Sequence, residues 1–272
     1  MSDQRSIFDV HGPVQRHDTK DGSTTLYSEN FQQYYHNPNG ALSESELVFF
    51  SSNGLNQRIQ ASNGPIHIFE MGFGTGLNFL LAAHKMIEAD NNHALHFYSV
   101  EAYPITSELA TGFSYPITWA KAELNTWLPE VFSGLNQGWN TFQPDPSWPI
   151  YLHLYVGYLK EIQTQMKLNH PIDYYFHDAF SVEQNPECWT DEVFMCYQNW
   201  GHAESILSTY AAASRIRAAM AAADWKVFKA PGALGKREMT IACHPNSKAQ
   251  LVNLTPCPNE RLKNRWFGGE WN

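Results

Sequence analysis

Three acidic residues each stand at the end of an apolar run: Glu70, Glu101 and Asp178. Glu70 opens the segment Glu70-Met71-Gly72-Phe73-Gly74-Thr75-Gly76-Leu77-Asn78, in which glycine recurs at every second position. Such glycines let the chain turn sharply and let a ligand lie against backbone where any Cβ would clash. A helix starting near Asn78 directs its free N–H groups at whatever occupies the turn. A dinucleotide fingerprint would need glycine or alanine where this chain has Leu77, so the pattern points to another nucleotide-like ligand. An acid about 20–30 residues after a glycine loop, at the tip of the next strand, suits the two hydroxyls of a ribose, and Glu101 holds that place. Asp178 follows Asp173-Tyr174-Tyr175-Phe176-His177 and reaches the same rim. There a carboxylate can hold and deprotonate an amine nucleophile, although taken alone Asp178 reads more readily as a cap or loop salt-bridge residue. His177 faces the other way along its strand and reads as structural.

These residues require a sheet whose strand ends share one edge. Strands are expected at 66–70, 95–100, 150–156, 172–177, 203–208, 225–230 and 238–243, with helices at 76–88, 105–111, 158–167, 190–199 and 211–223. Alternating β and α elements imply an α/β fold, a mostly parallel seven-stranded sheet covered on both faces. Pro231-Gly232-Ala233-Leu234-Gly235 is too short for a helical crossover, so the last two strands should form an antiparallel edge. Residues 1–60 read as an N-terminal flank or lid. They carry a hairpin strand at Thr24–Ser28, a turn at Asn37-Pro38-Asn39-Gly40, and a helix capped near Ser43-Glu44-Ser45-Glu46. Residues 61–245 read as the main domain, with an inserted helical or irregular lobe at about 112–149, and 246–272 as a basic tail.

The 272 residues are 43% hydrophobic and 17% charged, as in a folded globular chain. No apolar run approaches the roughly 18 residues a membrane helix needs, and no signal peptide is read at the start. Four cysteines, Cys188, Cys196, Cys243 and Cys257, lack C-x-x-C spacing, which argues against a metal site and for a cytoplasmic setting. Net charge is −9, but residues 1–214 hold 8 Lys/Arg against 23 Asp/Glu, while 215–272 hold 10 against 4. A basic end on an acidic body is consistent with a phosphate-binding face or with a merely solvated segment. Arg215 and Arg217 open one helix, and Lys236-Arg237 sit on a glycine-containing loop.

The glycine segment resembles the first motif of class I S-adenosylmethionine-dependent methyltransferases, which have a Rossmann-like fold. The combination with Thr25-Leu26-Tyr27-Ser28, Glu44-Ser45-Glu46-Leu47-Val48-Phe49, Val100-Glu101-Ala102-Tyr103-Pro104, Asp178-Ala179-Phe180, Asn185-Pro186-Glu187-Cys188-Trp189-Thr190, Thr209-Tyr210 and Lys236-Arg237-Glu238-Met239 is more specific. It resembles the family that completes 5-methylaminomethyl-2-thiouridine at the tRNA wobble position, called MnmC when fused to an oxidase and MnmD when alone. The resemblance covers roughly residues 24–243. It implies S-adenosyl-L-methionine as cofactor, contacted by Tyr27, Glu70, Gly72, Gly74, Gly76, Asn78, Glu101 and Asp178. It also implies that Asp178 meets the substrate amine, that Phe180 and Tyr210 line the base pocket, and that Arg215, Lys236 and Arg237 meet the anticodon arm. One departure concerns adenine. The family commonly has Gly-Asp after strand three, where this chain has Gly157-Tyr158, so a backbone carbonyl or stacking must serve. No second glycine fingerprint of flavin type follows, so neither FAD nor a fused oxidase is expected in this chain. The alternatives are a methyltransferase of a small-molecule or protein amine, and an inactive tRNA- or cofactor-binding module.

Overall fold

The structure is a computed structural model that describes residues 12–163, 166, 168, 170–247 and 254–271. Its twelve strands are β1 (Val14–Asp18), β2 (Thr24–Ser28), β3 (Gln33–Tyr34), β4 (Ile66–Met71), β5 (Leu95–Glu101), β6 (Gly138–Phe142), β7 (Ile150–Val156), β8 (Ile172–His177), β9 (Gly201–Thr209), β10 (Lys226–Pro231), β11 (Glu238–Cys243) and β12 (Thr255–Pro256). The first three form a small antiparallel sheet, and the others form one sheet in the order β12-β10-β11-β9-β8-β4-β5-β7-β6. Its five middle strands, β9-β8-β4-β5-β7, are mutually parallel. β11 runs antiparallel to both β9 and β10, as the short Pro231–Gly235 connection requires.

All seven expected strands are present, and two short edge strands extend the sheet to nine. β6 arises from the segment read as a helical or irregular lobe, which also carries helix Leu124–Ser133, and pairs antiparallel with β7. Its sequence, Gly-Trp-Asn-Thr-Phe, mixes strand-favouring Trp, Thr and Phe with Gly and Asn, and it pairs along the open edge of β7. β4 lies at the centre and is buried at all six positions. Its residues alternate between two apolar layers: Ile68 faces helix Leu77–Glu88, while Phe69 faces helices Asp191–Trp200 and Ser214–Ala222. The helix expected at 158–167 is seen as Leu159–Ile162, and residues 164, 165 and 167 lie outside the described set. Among the described residues, no helix is long and apolar enough to cross a membrane, and no cluster of three metal-ligating side chains occurs. Residues 248–253 of the expected basic tail also lie outside the described set, and the tail ends in helix Asn259–Phe267.

The N-terminal flank packs into the main core: Phe49 stacks on Phe176 of β8 at 4.9 Å between ring centroids. Its helix departs from the expected cap. It begins at Ala41 and continues as a π-helical stretch, Glu46–Ser51, so Ser43 lies inside the helix. The helix end is satisfied from a distance, because Asp21 Oδ2 accepts from the Ser43 N–H at 3.0 Å and the Ser43 hydroxyl at 2.7 Å. Burial raises the Asp21 pKa, but hydrogen bonds from Ser23, Ser43 and Thr19 outweigh that and hold it at about 2. A depressed carboxyl stabilises the fold above its unfolded pKa, and that contribution disappears as pH falls from about 4 through about 2. Asp21→Ala should therefore cost about 1–2 kcal/mol at neutral pH, like other lost caps. In urea titrations the variant should lack the part of the acid loss that wild type shows.

Candidate active site

The carboxyl ends of β4, β5, β7 and β8 meet at a cavity of about 480 Å³, within the range of small-molecule sites. The glycine loop forms one wall. The N–H groups of Gly72 and Phe73 both donate to the Val100 carbonyl, and Asp178 N–H donates to Met71, so the loop and the β8 tip are bonded to their neighbours. Gly72 has φ +88°, and a Cβ there would lie 3.0 Å from the Asp178 carbonyl oxygen. At Gly76 (φ +77°) a Cβ would meet Leu128 at 2.4 Å. Both positions therefore require glycine. Gly74 N–H donates to one oxygen of Glu101 and Tyr103 N–H to the other, each at 2.8 Å. Those bonds fix the carboxylate in place at the tip of β5, on the wall of the cavity.

Asn78 joins the two other acids. Its amide nitrogen donates to Glu70 at 2.9 Å and to Asp178 at 3.0 Å, while Ser99 donates to the second Glu70 oxygen at 2.9 Å. Burial first, and Asp178 second, push the Glu70 carboxyl well above the usual range. Burial, followed by the charge of Glu44, does the same to Asp178, against opposition from the Asn78 bond and Lys236. The Asn78 carbonyl oxygen is buried with no hydrogen-bond partner among the described residues, which suits a ligand that brings a donor.

Asp178, Phe180, Tyr35 and His36 also line a second cleft of about 600 Å³, so the two cavities share a wall. The segment 178–180 is fixed from outside: Tyr210 OH donates to Ala179 O at 2.9 Å, and Trp189 Nε1 donates to Phe180 O at 2.8 Å. Thr190 caps helix Asp191–Trp200, as its position after Trp189 implies. Buried His177 contacts the Tyr197 hydroxyl at 2.9 Å, and burial pulls its pKa down to about 3, in keeping with a structural histidine.

Several expected placements change. Tyr27 lines the second cleft and not the glycine-loop cavity, because the β1–β2–β3 sheet stacks it edge-on against Tyr34 at 4.9 Å. Lys236 lines the same cleft, with its ammonium 2.6 Å from Glu44 and 4.8 Å from the Tyr210 ring centroid. Arg237 is exposed and lines a third cleft with Tyr210 and Lys236. Arg215 lines none of the three, and its Nε is buried without a partner among the described residues. Arg217 is buried and pairs with Glu238 at 2.9 Å, as Lys229 does at 3.2 Å. Much of the basic surplus thus braces β10 and β11. Tyr158 lines the first cavity with its hydroxyl 3.5 Å from that of Tyr103, while its backbone N–H donates to Glu161 at 2.8 Å. His36 escaped the sequence reading, and Glu44 reads there as part of a helix start and a matching segment, with no role at the site. His36 sits at the start of what reads as a turn, yet it is held between Thr25 (3.1 Å) and Thr75 (3.4 Å). Burial lowers its pKa to about 4, so it is neutral at pH 7.

Because Glu70 and Asp178 have raised pKa values, the folded state binds more protons than the unfolded state above the ordinary carboxylate range. Stability of the cofactor-free protein should therefore fall as pH rises through that window. Glu70→Gln should flatten the fall, measured as the urea midpoint against pH, and an unchanged slope would count against a protonated Glu70.

The sequence matches a family described as S-adenosyl-L-methionine-dependent methyltransferase over residues 123–245, which include Asp178, Tyr210 and Lys236 but not the glycine loop. It is 31% identical over 238 residues to the tRNA 5-methylaminomethyl-2-thiouridine biosynthesis bifunctional protein MnmC of Leptospira borgpetersenii, covering 85% of this chain and 35% of that protein. The same-named protein of Cupriavidus metallidurans is 34% identical over 227 residues, covering 80% and 32%. This chain thus spans about a third of the length of the curated relatives it matches. The crystal structure of MNMC2 from Aquifex aeolicus superimposes with a TM-score of 0.71 at 21% identity, covering 94% of this chain and 76% of that one, and has the same fold.

Proposed function

The chain belongs to the MnmC-like family of S-adenosyl-L-methionine-dependent methyltransferases, and from that premise we propose that it methylates the primary amine of 5-aminomethyl(-2-thio)uridine at the tRNA wobble position. The product would be 5-methylaminomethyl(-2-thio)uridine. The observation that carries this reading is the position of Asp178 on the wall common to the glycine-loop cavity and the aromatic cleft. In this reading Gly72, Gly74, Gly76, Glu70 and Asn78 hold the methionyl part of the cofactor, Glu101 holds the ribose, and Tyr158 offers a stacking face for adenine. Tyr27, Phe180 and Tyr210 enclose the base. A wobble base is unpaired within its loop, so aromatic stacking suits its recognition. Exposed Arg237 is placed to meet phosphate beside the cleft.

When bound, S-adenosyl-L-methionine supplies an already activated methyl group. The protein's own task is to align the amine and make it neutral, since a protonated amine has no lone pair. A carboxylate whose pKa is raised is a better proton acceptor than an ordinary one, and Asp178 is such a group. Asp178 accepts an N–H hydrogen bond from the amine and takes its proton, directly or through one water.

Asp178→Ala should lower turnover on tRNA bearing aminomethyluridine by about 10²–10⁴, the usual range for a lost acid–base group, with cofactor affinity nearly retained. Near-normal turnover would remove Asp178 from the mechanism. Arg237→Ala should weaken tRNA binding at all sequences and make log K against log salt shallower by about 0.7–0.9 per lost contact. An unchanged slope would place the tRNA on another face.

A further inference from the structure

The aromatic cleft already contains a cation. Lys236, from the loop between β10 and β11, places its ammonium 2.6 Å from a Glu44 oxygen and 4.8 Å from the centre of the Tyr210 ring. Asp178 lines the same cleft. Charged acceptor oxygens beside an aromatic face form an ammonium-binding arrangement, one that would serve an organic amine as well as a lysine. The two partners differ in freedom. The Glu44 side chain is 11% exposed and fixed by the Asn37 backbone N–H at 3.0 Å, whereas the Lys236 side chain is 41% exposed on its loop. Lys236 can leave and Glu44 cannot.

We propose that Glu44 is the residue that recognises the substrate's ammonium, and that Lys236 is its resident counter-ion, displaced when the substrate arrives. The proposal rests on the amine-methylation reading above and divides its work: Glu44 selects the charged amine, and Asp178 then takes the proton. A resident cation has a physical reason. Glu44 and Asp178 are both acidic and poorly solvated in one cleft, and an unopposed pair would repel or protonate. An arriving ammonium takes over the Glu44 oxygen and the Tyr210 face, so no carboxylate is left uncompensated. The released Lys236 then sits beside Arg237 on the rim, facing phosphate. A group without positive charge at the same position would have to compete with Lys236 for a hydrogen bond that lacks the ionic component, which gives selectivity for the aminomethyl form over neutral analogues.

A purely structural role for the pair, as a latch tying the β10–β11 loop to helix Ala41–Ser45, makes a different prediction. The test is calorimetric titration of 5-aminomethyluridine and of its neutral counterpart 5-hydroxymethyluridine into the full chain saturated with S-adenosylhomocysteine. Wild type, Glu44→Gln and Lys236→Met are compared. Wild type should favour the amine by about tenfold, the scale of one charge-assisted hydrogen bond. Glu44→Gln, which keeps an acceptor for the Asn37 N–H, should abolish that preference, and Lys236→Met should enlarge it. Equal affinities in wild type, or a loss of amine binding by both variants alike, would overturn the exchange. Methyl transfer to tRNA by wild type is scored separately. Its absence with the amine preference intact rejects the tRNA reading and leaves the ammonium exchange supported.

Discussion

One side-chain amide organises the catalytic end of this molecule. Asn78 donates from a single nitrogen to Glu70 at the tip of β4 and to Asp178 at the tip of β8. Two carboxylates brought this close in a buried place resist ionisation, and a shared donor is what makes their proximity tolerable. The geometry depends on the glycine loop. Only a loop that turns within a few residues of Glu70 can start helix Leu77–Glu88 early enough to put Asn78 between the two strand ends. The backbone bond from Asp178 to Met71 fixes the second carboxylate relative to the first.

The two-cavity layout follows from this bridge. Glu101 lines the side on which the loop backbone is exposed, Glu70 is buried behind Asn78, and Asp178 belongs to both sides. On the far side the N-terminal hairpin supplies Tyr27, Tyr34, Tyr35 and His36, and the β10–β11 loop supplies Lys236. In the proposed reaction a proton acceptor is most useful at such a boundary, because the methyl donor and the amine would approach from opposite sides. The N-terminal flank thus shares the core of the main sheet and supplies one wall of the aromatic cleft.

What the sequence revealed and what it hid have a common physical basis. The seven main strands, the antiparallel pair β10–β11, and the acids Glu70, Glu101 and Asp178 follow from period, glycine spacing and loop length, all of which are local. The misplacements involve long-range partners. Ser43 reads as a cap because nothing nearby marks Asp21 as the distant acceptor. Lys236 and Glu44 are 192 residues apart, and no spacing rule pairs them. Arg217 reads as a surface cation until Glu238 and Thr240 of β11 close over it. Which cleft the Tyr27 ring lines is decided by the fold-back of the hairpin, which no local pattern encodes. His36 stands just before a turn signal, and its burial between two threonines exists only once the hairpin and the glycine loop meet.

The most direct test is the chemical identity of the methylated nucleoside. The full chain would be incubated with methyl-labelled S-adenosyl-L-methionine and tRNA whose wobble uridines carry a primary aminomethyl group, and the tRNA then digested to nucleosides. The account predicts label in 5-methylaminomethyl(-2-thio)uridine alone, and none when the same position carries a hydroxymethyl group. Label in any other nucleoside, or none at all while the cofactor still binds, would contradict it.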